Sequence, residues 1–408
     1  MALHVMDEVN RCLECKNPSC QKGCPISTPI PAVIRCLKEN RLDDAGRILF
    51  ENNPLTTVCS LICNHEKQCE GHCILNKKGM PIHFSTIESY VSSAYAPKMV
   101  KGPQESNGMK VAIVGSGPAG LTIAIHLARY GYQVTIFEKN SQIGGVLRYG
   151  IPEFRLPKRV LDDIQYRHLE LKGIRVRPNT NIGEVITIED LFRDGYRAIF
   201  IGTGVWRPKT LRIKGETLGH VHFAIHYLKS PETYRLGQRI IVIGAGNSAM
   251  DVARTALRNG VNEATCFTPE TKVTASNYEF GYASLEGVRF EYSKKPIEIT
   301  DEGVVFRDLK ENDDGTVTEV QGSDRLHTAD SVIIAISQGP RNVIVNSTSG
   351  LETNQRGLLL ADDQGNTTRE GIFASGDVVN GARSVVEAVA HSKIVAETMH
   401  RYMQSLKK

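Results

Sequence analysis

Residues 110–138, KVAIVGSGPAGLTIAIHLARYGYQVTIFE, constrain this chain more than any other stretch. An apolar run of strand length leads into glycines at 115, 117 and 120, then an amphipathic helical stretch, then a second apolar run ending in Glu138. Each part has a physical task. Glycines let a backbone approach a pyrophosphate, the helix start offers unpaired N–H groups and the positive end of its dipole, and the acid accepts from ribose hydroxyls. A bare G-x-G-x-x-G is a weak signal. The strand before it, the helix after it and an acid 23 residues beyond the first glycine make it specific for a dinucleotide.

The pattern recurs in QRIIVIGAGNSAMDVARTALRNGVNEATCFTPE, residues 238–270. Strand, Gly244, Gly246, helix and strand follow in the same order, with Ala249 and Met250 around the place of the third glycine. Asn247 and Ser248 at the helix start and Thr268 after the second strand are the further candidates for nucleotide contacts. Two such units imply two dinucleotides and an α/β fold with two Rossmann-like domains.

A different texture precedes residue 100. Nine of the ten cysteines lie between residues 12 and 73. The first run is C-x2-C-x4-C-x3-C-P, with Cys12, Cys15, Cys20, Cys24 and Pro25, and the second is C-x3-C-x5-C-x3-C, with Cys59, Cys63, Cys69 and Cys73. Disulfides do not persist in a reducing compartment, which leaves iron-sulfur, zinc or redox thiols. Structural zinc takes two short knuckles separated by a loop. The first run instead follows the bacterial ferredoxin spacing with a longer middle spacer, a pattern in which the cysteine before proline ligates the other of two clusters. Iron-sulfur is therefore the leading reading and zinc its competitor. Between the runs, Ile34, Leu37, Leu42, Ala45, Ile48 and Leu49 recur at helical spacing, and Cys36 falls within that stripe as a small hydrophobe.

Charge excludes little and suggests no polyanionic partner. The 49 basic and 45 acidic residues leave a net +4, with no run of five like charges. Neither nucleic acid nor membrane is expected as a partner. The start, MALHVMDEVN, carries acids and no apolar core, and the longest apolar stretch is interrupted by Gly and Pro, so a cytoplasmic location is expected.

The polar stretch KGPQESNG, residues 101–108, separates the cysteine module from the first nucleotide motif. Near the end, GIFASGDVVNGARSVVEAVAHSKIVAETM runs from a strand through Gly376 and Asp377 into a long helix, completing the domain opened at residue 110 with the second motif inserted between. Together with VGSGPAG, GGVLRYGIPEFRLPK, IGTG, VIGAGNSAMD, AISQGP and the two cysteine runs, this resembles the small subunit of bacterial glutamate synthase. The same family includes the N-terminal half of dihydropyrimidine dehydrogenase and the larger subunit of a transhydrogenase that couples NADPH to ferredoxin.

The resemblance implies a helical domain over residues 1–105 with two 4Fe-4S clusters, an FAD domain over 106–225 and 335–408, and an NAD(P) domain over 226–334. It assigns Cys12, Cys15, Cys20 and Cys73 to one cluster. Cys24, Cys63 and Cys69 go to the other, with Glu88 in PIHFSTIESYV as fourth ligand and Cys59 as the competing candidate. For FAD it implies Gly115, Gly117, Pro118, Ala119 and Gly120 at the pyrophosphate and Glu138 and Lys139 at the ribose. Gly145, Val146, Leu147, Arg148 and Gly204 would lie beside the flavin, Gly376 and Asp377 on the ribityl and phosphate side, and Val385 at the pyrimidine edge. It further implies an oxidoreductase that takes hydride from NAD(H) or NADP(H) and passes single electrons to a partner redox subunit or ferredoxin, with no protein side chain transferring protons.

Two readings compete. A flavoprotein disulfide reductase would need a cysteine pair in a nucleotide domain, yet no cysteine occurs between Cys73 and Cys266. A zinc-containing nucleotide-binding sensor would be colourless where iron-sulfur is brown. After the second strand of the inserted domain the chain reads Thr268, Pro269, Glu270, and an acid there repels a 2′-phosphate, so NADH is expected over NADPH, with Lys272 opposing.

Overall fold

The structure, a computed structural model, describes residues 2–99, 105–312 and 314–406. Positions 101–104 of the expected linker lie outside the described residues. The chain divides into two compact units. The first takes the described residues up to Leu147, Glu153–Val205 and those from Pro340 on; the second takes Arg148–Pro152 and Trp206–Gly339.

The N-terminal part of the first unit is helical, with Ala2–Arg11, Ile30–Lys38, Leu42–Asn52, Thr56–Ile62 and Phe84–Tyr95 as its main elements. They close on a core of Val9, Val33, Ile34, Leu49, Ile87 and Val91, and Cys36 is buried within it. The apolar stripe from Ile34 to Leu49 is carried by two helices. The break falls at Asn40, whose φ of +56° is a left-handed conformation that asparagine tolerates better than most side chains.

A five-stranded sheet follows in the order Ile372–Ala374, Tyr196–Ile201, Lys110–Val114, Gln133–Phe137, Arg175–Arg177. Every pairing in it is parallel. Its central strands are buried along nearly their whole length, which is why they read as unbroken apolar runs. The late strand Ile372–Ala374 joins the sheet that opened at residue 110. The closing helix Val385–Ser405 then packs along Pro118–Arg129. It buries Val389, Val395, Met399 and Met403 completely, each such side chain contributing roughly 1.5–3 kcal/mol. Arg129 ties the two parts together by donating to the carbonyls of Phe50, at 2.9 Å, and Glu51, at 3.4 Å, in the last turn of Leu42–Asn52.

The second unit carries a parallel sheet in the order Val221–Phe223, Ser331–Ile334, Arg239–Ile243, Glu263–Phe267, Arg289–Glu291. Between its last two strands in sequence lies an antiparallel sheet of Lys294–Thr300, Gly303–Glu311, Val317–Glu319 and Arg325–Thr328. Phe267 and Phe306 stack at 4.1 Å between ring centroids and join the two sheets. Among the described residues no helix is long and apolar enough to cross a membrane.

Candidate functional site

In the first unit the glycines of the 115–120 loop do different work. Gly115 has φ +99°, and a Cβ there would lie 2.7 Å from the Gly202 carbonyl oxygen. A Cβ on Gly120 would lie 2.0 Å from the Gly115 oxygen, so helix and strand approach closely only because no side chain intervenes. Gly117 is extended at φ −69° and ψ −175°, open to any residue, and nothing lies within 4 Å of where its Cβ would stand. That open space sits directly before Pro118 and Ala119 at the start of a 12-residue helix with no side-chain cap; Pro118 has no N–H, and the first-turn N–H groups after it have no acceptor within the helix.

Other predicted residues gather at this loop. A Cβ on Gly145 would lie 2.8 Å from Gly117 Cα, and one on Gly376 would lie 3.0 Å from Ala119 Cβ. Val146 and the buried Leu147 follow Gly145 in a short helix, and Gly204 follows the Gly202 segment packed on Gly115. Arg148 falls in the segment that packs with the second unit. Glu138 is buried, and its carboxylate accepts from Ser116 N at 3.0 Å, Ser116 Oγ at 2.5 Å, Asn140 N at 2.7 Å and Asn140 Nδ2 at 2.8 Å. Those four bonds use the roughly four acceptor positions a carboxylate has, so Glu138 latches the glycine loop to the strand end. Lys139 beside it is exposed.

Asp377 and Gly376 open onto a cavity of about 370 Å³ shared with Arg383, Glu387 and His391. Burial pushes the Asp377 carboxyl up to about 6, against the lowering effect of the Arg383 N–H that it accepts at 3.3 Å. Val385 is the first residue of the closing helix. Ser384 caps that helix in a reciprocal box with Glu387, at 3.0 Å from Ser384 N and 3.4 Å back from Glu387 N.

In the second unit Gly244 has φ +135°, and its Cβ would lie 2.6 Å from the Ala335 oxygen, while Gly246 has only Thr274 Oγ1 at 3.7 Å. The second cradle thus repeats the division between a packing glycine and an open one. Ala249 and Met250, at the place of the third glycine, are fully buried on the sheet side of Asn247–Arg258. Asn247 accepts from Ser276 N at 2.9 Å, and Ser248 is exposed. Thr268 is buried, its N–H donating to the Glu291 oxygen at 3.0 Å and its hydroxyl accepting from Glu270 N at 3.3 Å. The Glu270 side chain is left exposed.

The thiols of the helical part line two cavities. One, of about 80 Å³, is walled by Cys12, Cys15, Cys20, Cys69 and Cys73, with Leu13 and Ile74 beside it. Leu13 is 61% and Ile74 51% exposed, so this cavity has apolar side chains at the surface beside it. The other, of about 20 Å³, is walled by Cys24, Cys59, Cys63, Cys69, His65 and Glu88, together with Thr28 and Val386. Cys69 belongs to both, so the cavities share a wall. Both candidates for the eighth ligand are inside the second. Glu88 is buried on Phe84–Tyr95, accepts from Thr56 Oγ1 at 2.6 Å, and has its carboxyl pushed up to about 7 by burial. Cys59 is buried on Thr56–Ile62, and its hydrogen bond, followed by burial, holds the Cys63 thiol well above its usual range.

These donor sets fit iron-sulfur clusters. Burial raises Cys20 to about 11 and also raises Cys12 and Cys69, and thiolates become stable in such surroundings only against a compensating metal charge. Among the described residues no three His, Cys, Asp or Glu side chains close on a single-ion site. The thiols are instead spread around cavity walls. Within the second cavity His65 is buried and its Nε2 has no partner. Thr28, Thr56, His65, Ser116 and Asn140 are functional candidates that only the packed structure brings forward. Of these only Ser116, inside the G-S-G turn, stands within a motif that could have exposed its role.

Residues 109–392 match the family described as pyridine nucleotide-disulphide oxidoreductase, and residues 2–99 match the dihydropyrimidine dehydrogenase domain II, 4Fe-4S cluster family. The glutamate synthase [NADPH] small chain of Halomonas elongata is 33% identical over 97% of this chain and 90% of its own. The NAD-dependent dihydropyrimidine dehydrogenase subunit PreT of Escherichia coli K12 is 30% identical over 99% of this chain and 95% of its own. FprA of Mycobacterium tuberculosis, solved in complex with NADPH, shares the fold at a TM-score of 0.61 and 18% identity, over 73% of this chain and 85% of its own. FAD, NAD(P)(H) and 4Fe-4S clusters are the cofactors that these domains bind. The chain belongs to the pyridine nucleotide-disulphide oxidoreductase family, beside glutamate synthase small chains and PreT subunits, and is an NAD(P)H-dependent FAD and iron-sulfur oxidoreductase.

Proposed function

We propose that the chain is the electron-input subunit of a two-component enzyme, oxidising NAD(P)H and delivering single electrons to a partner redox protein, with a glutamate synthase large subunit as the leading partner. One observation carries the reading. Within the first unit, the Asp377 cavity adjoins the closing helix, Val386 of that helix walls the second thiol cavity, and Cys69 is common to the second and first. Bound FAD supplies the conversion of a hydride pair into single electrons, and 4Fe-4S clusters supply one-electron carriers.

The chain's own residues hold and order these groups. Gly117, Pro118 and Ala119 offer backbone to the FAD pyrophosphate, and Gly246 and Asn247 do the same for the pyridine nucleotide. Cys12, Cys15, Cys20 and Cys73 would bind one cluster, and Cys24, Cys63, Cys69 and Glu88 the other. Close in sequence to residues that wall the first cavity, Lys16, Lys22, Lys77 and Lys78 are exposed and make no ion pair among the described residues, and Leu13, Ile74 and Met80 are exposed apolar side chains. An apolar centre with a cationic rim suits a partner whose docking face is acidic around an apolar patch.

Both relatives above are named as a chain or subunit of a larger enzyme. A dihydropyrimidine-reducing partner or free ferredoxin is the competing acceptor, favoured by the PreT relationship and by Glu270. The test is an assay of the purified chain. Alone it should reduce artificial acceptors with NAD(P)H and make no glutamate from glutamine and 2-oxoglutarate; adding a glutamate synthase large subunit should restore glutamate formation. Glutamate or dihydropyrimidine formation by the lone chain would refute the input-subunit reading.

A further inference from the structure

Three side chains far apart in sequence connect the closing helix to Cys24. Lys393 Nζ donates to Asn52 Oδ1 at 2.7 Å, Asn52 Nδ2 donates to Thr28 Oγ1 at 3.4 Å, and Thr28 Oγ1 lies 3.3 Å from Cys24 Sγ. Chemistry fixes the direction of each bond. A lysine only donates, so the amide oxygen of Asn52 must face it and the amide nitrogen must face Thr28. Thr28 Oγ1, having accepted from Asn52, has its hydroxyl proton left to give, and a metal-bound thiolate at Cys24 has none to offer. All three bonds therefore point their positive ends toward the sulfur. Thr28 is buried and walls the second cavity, and its bond to Cys24 is partly buried.

We propose that Lys393, Asn52 and Thr28 form a polarised hydrogen-bond relay that raises the reduction potential of the cluster bound through Cys24. This rests on the assignment of Cys24 as a cluster ligand. Hydrogen bonds to cluster sulfurs stabilise the electron-rich reduced state, and bonds in a chain polarise one another. The relay acts on one cluster, because Cys12, Cys15, Cys20 and Cys73 line the other cavity. Its origin on the closing helix is informative. The same helix carries Glu387 and His391 on the Asp377 cavity and Val386 on the second thiol cavity. One element thus holds the flavin-side residues and makes the adjoining cluster easier to reduce than it would be without the relay, which favours electron movement from flavin to that cluster.

The test is a redox titration of the anaerobic holoprotein, following each cluster by paramagnetic resonance. Thr28→Val should lower the reduced-to-oxidised ratio of one cluster about tenfold at fixed potential, ~59 mV for one electron, and leave the other unchanged. Thr28→Ser should restore it. Lys393→Met should shift the same cluster in the same direction, and the double variant should shift no further than Thr28→Val alone, because the relay is already cut at its last link. Additive shifts would mean that the lysine acts through space, and an unmoved potential in Thr28→Val would mean that the hydroxyl does not tune the sulfur; either overturns the relay. Cys24→Ser separates the underlying assignment. If it alters one cluster signal while Thr28→Val moves nothing, only the relay falls; if Cys24→Ser leaves both signals native, the ligand assignment falls with it.

Discussion

Replacing Gly117 by alanine should weaken FAD binding about ten- to a hundredfold without weakening the fold, and replacing Gly120 should weaken the fold first. The two glycines stand three residues apart in one loop, yet their surroundings differ. A Cβ on Gly120 would sit 2.0 Å from a backbone oxygen, and that oxygen belongs to Gly115, which is itself pinned against Gly202. Nothing there is a flexible side-chain tip, so the helix must move, at a cost of about 1–3 kcal/mol or more. A Cβ on Gly117 meets no atom within 4 Å, and its backbone angles suit alanine, so the apoprotein should stay within about 0.5 kcal/mol of the parent. With FAD the new methyl occupies the approach of the pyrophosphate. Losing one charge-assisted bond to a backbone N–H there costs roughly 1.5–3 kcal/mol, about ten- to a hundredfold in affinity. The assay is paired: urea unfolding of the apoprotein and fluorescence titration with FAD. A Gly117→Ala protein that binds FAD normally, or a Gly120→Ala protein with parental stability, would refute the reasoning.

The anaerobically purified protein should contain about eight irons and one FAD per chain, from two four-iron clusters and one flavin site; zinc without acid-labile sulfide would contradict this. Glu88→Ala should alter the resonance signal of one cluster and leave the other native, whereas a native pair of signals in Glu88→Ala together with a lost one in Cys59→Ser would transfer the ligand role to Cys59. NADH should be preferred because Glu270 stands exposed after the strand Glu263–Phe267, where a 2′-phosphate would need a cation; a tenfold preference for NADPH in dye reduction would reverse that assignment. Asp377, with a folded pKa raised to about 6 by burial, holds its proton more tightly in the folded apoprotein than the ordinary value near ~3.9. Its contribution is neutral below the lower value, turns unfavourable as pH rises between the two, and levels off above about 6. Asp377→Asn should therefore gain stability over the parent on moving from pH 4 to pH 7, on the order of 2–3 kcal/mol in apoprotein urea midpoints; parallel pH profiles would count against a buried, destabilised carboxyl.

What could be read from the sequence was what local geometry encodes. A strand, a glycine turn and a helix start are contiguous, so the roles of Gly115, Gly117 and Gly244 follow from spacing. The return of Ile372–Ala374 to the first sheet follows from a late strand with no other sheet to complete. Glu138 shows where this stops: its position named it as a ribose acceptor, and only the packed structure adds that its carboxylate also accepts from Ser116 and Asn140. The antiparallel sheet over 294–328 was not legible, because its strands are largely half-exposed and rich in charge, with little apolar periodicity.

The thiol cavities show the same limit more sharply. Spacing within each run suggested that the Cys-Pro cysteine crosses to a second cluster, yet only packing makes Cys73 a neighbour of Cys12 and places Cys69 in both walls. Glu88 reads as a solvated helix acid until Phe84–Tyr95 turns it inward against Thr56. The relay from Lys393 spans 341 positions to Asn52 and another 24 to Thr28, so no window of sequence contains it. Electron transfer requires carriers from separate motifs to lie side by side, and the contacts that achieve this are made by the residues between motifs. The residues that govern direction of flow, as opposed to binding, are accordingly those a motif search passes over, and Thr28, three positions beyond the Cys-Pro, is the one on which that argument is most directly tested.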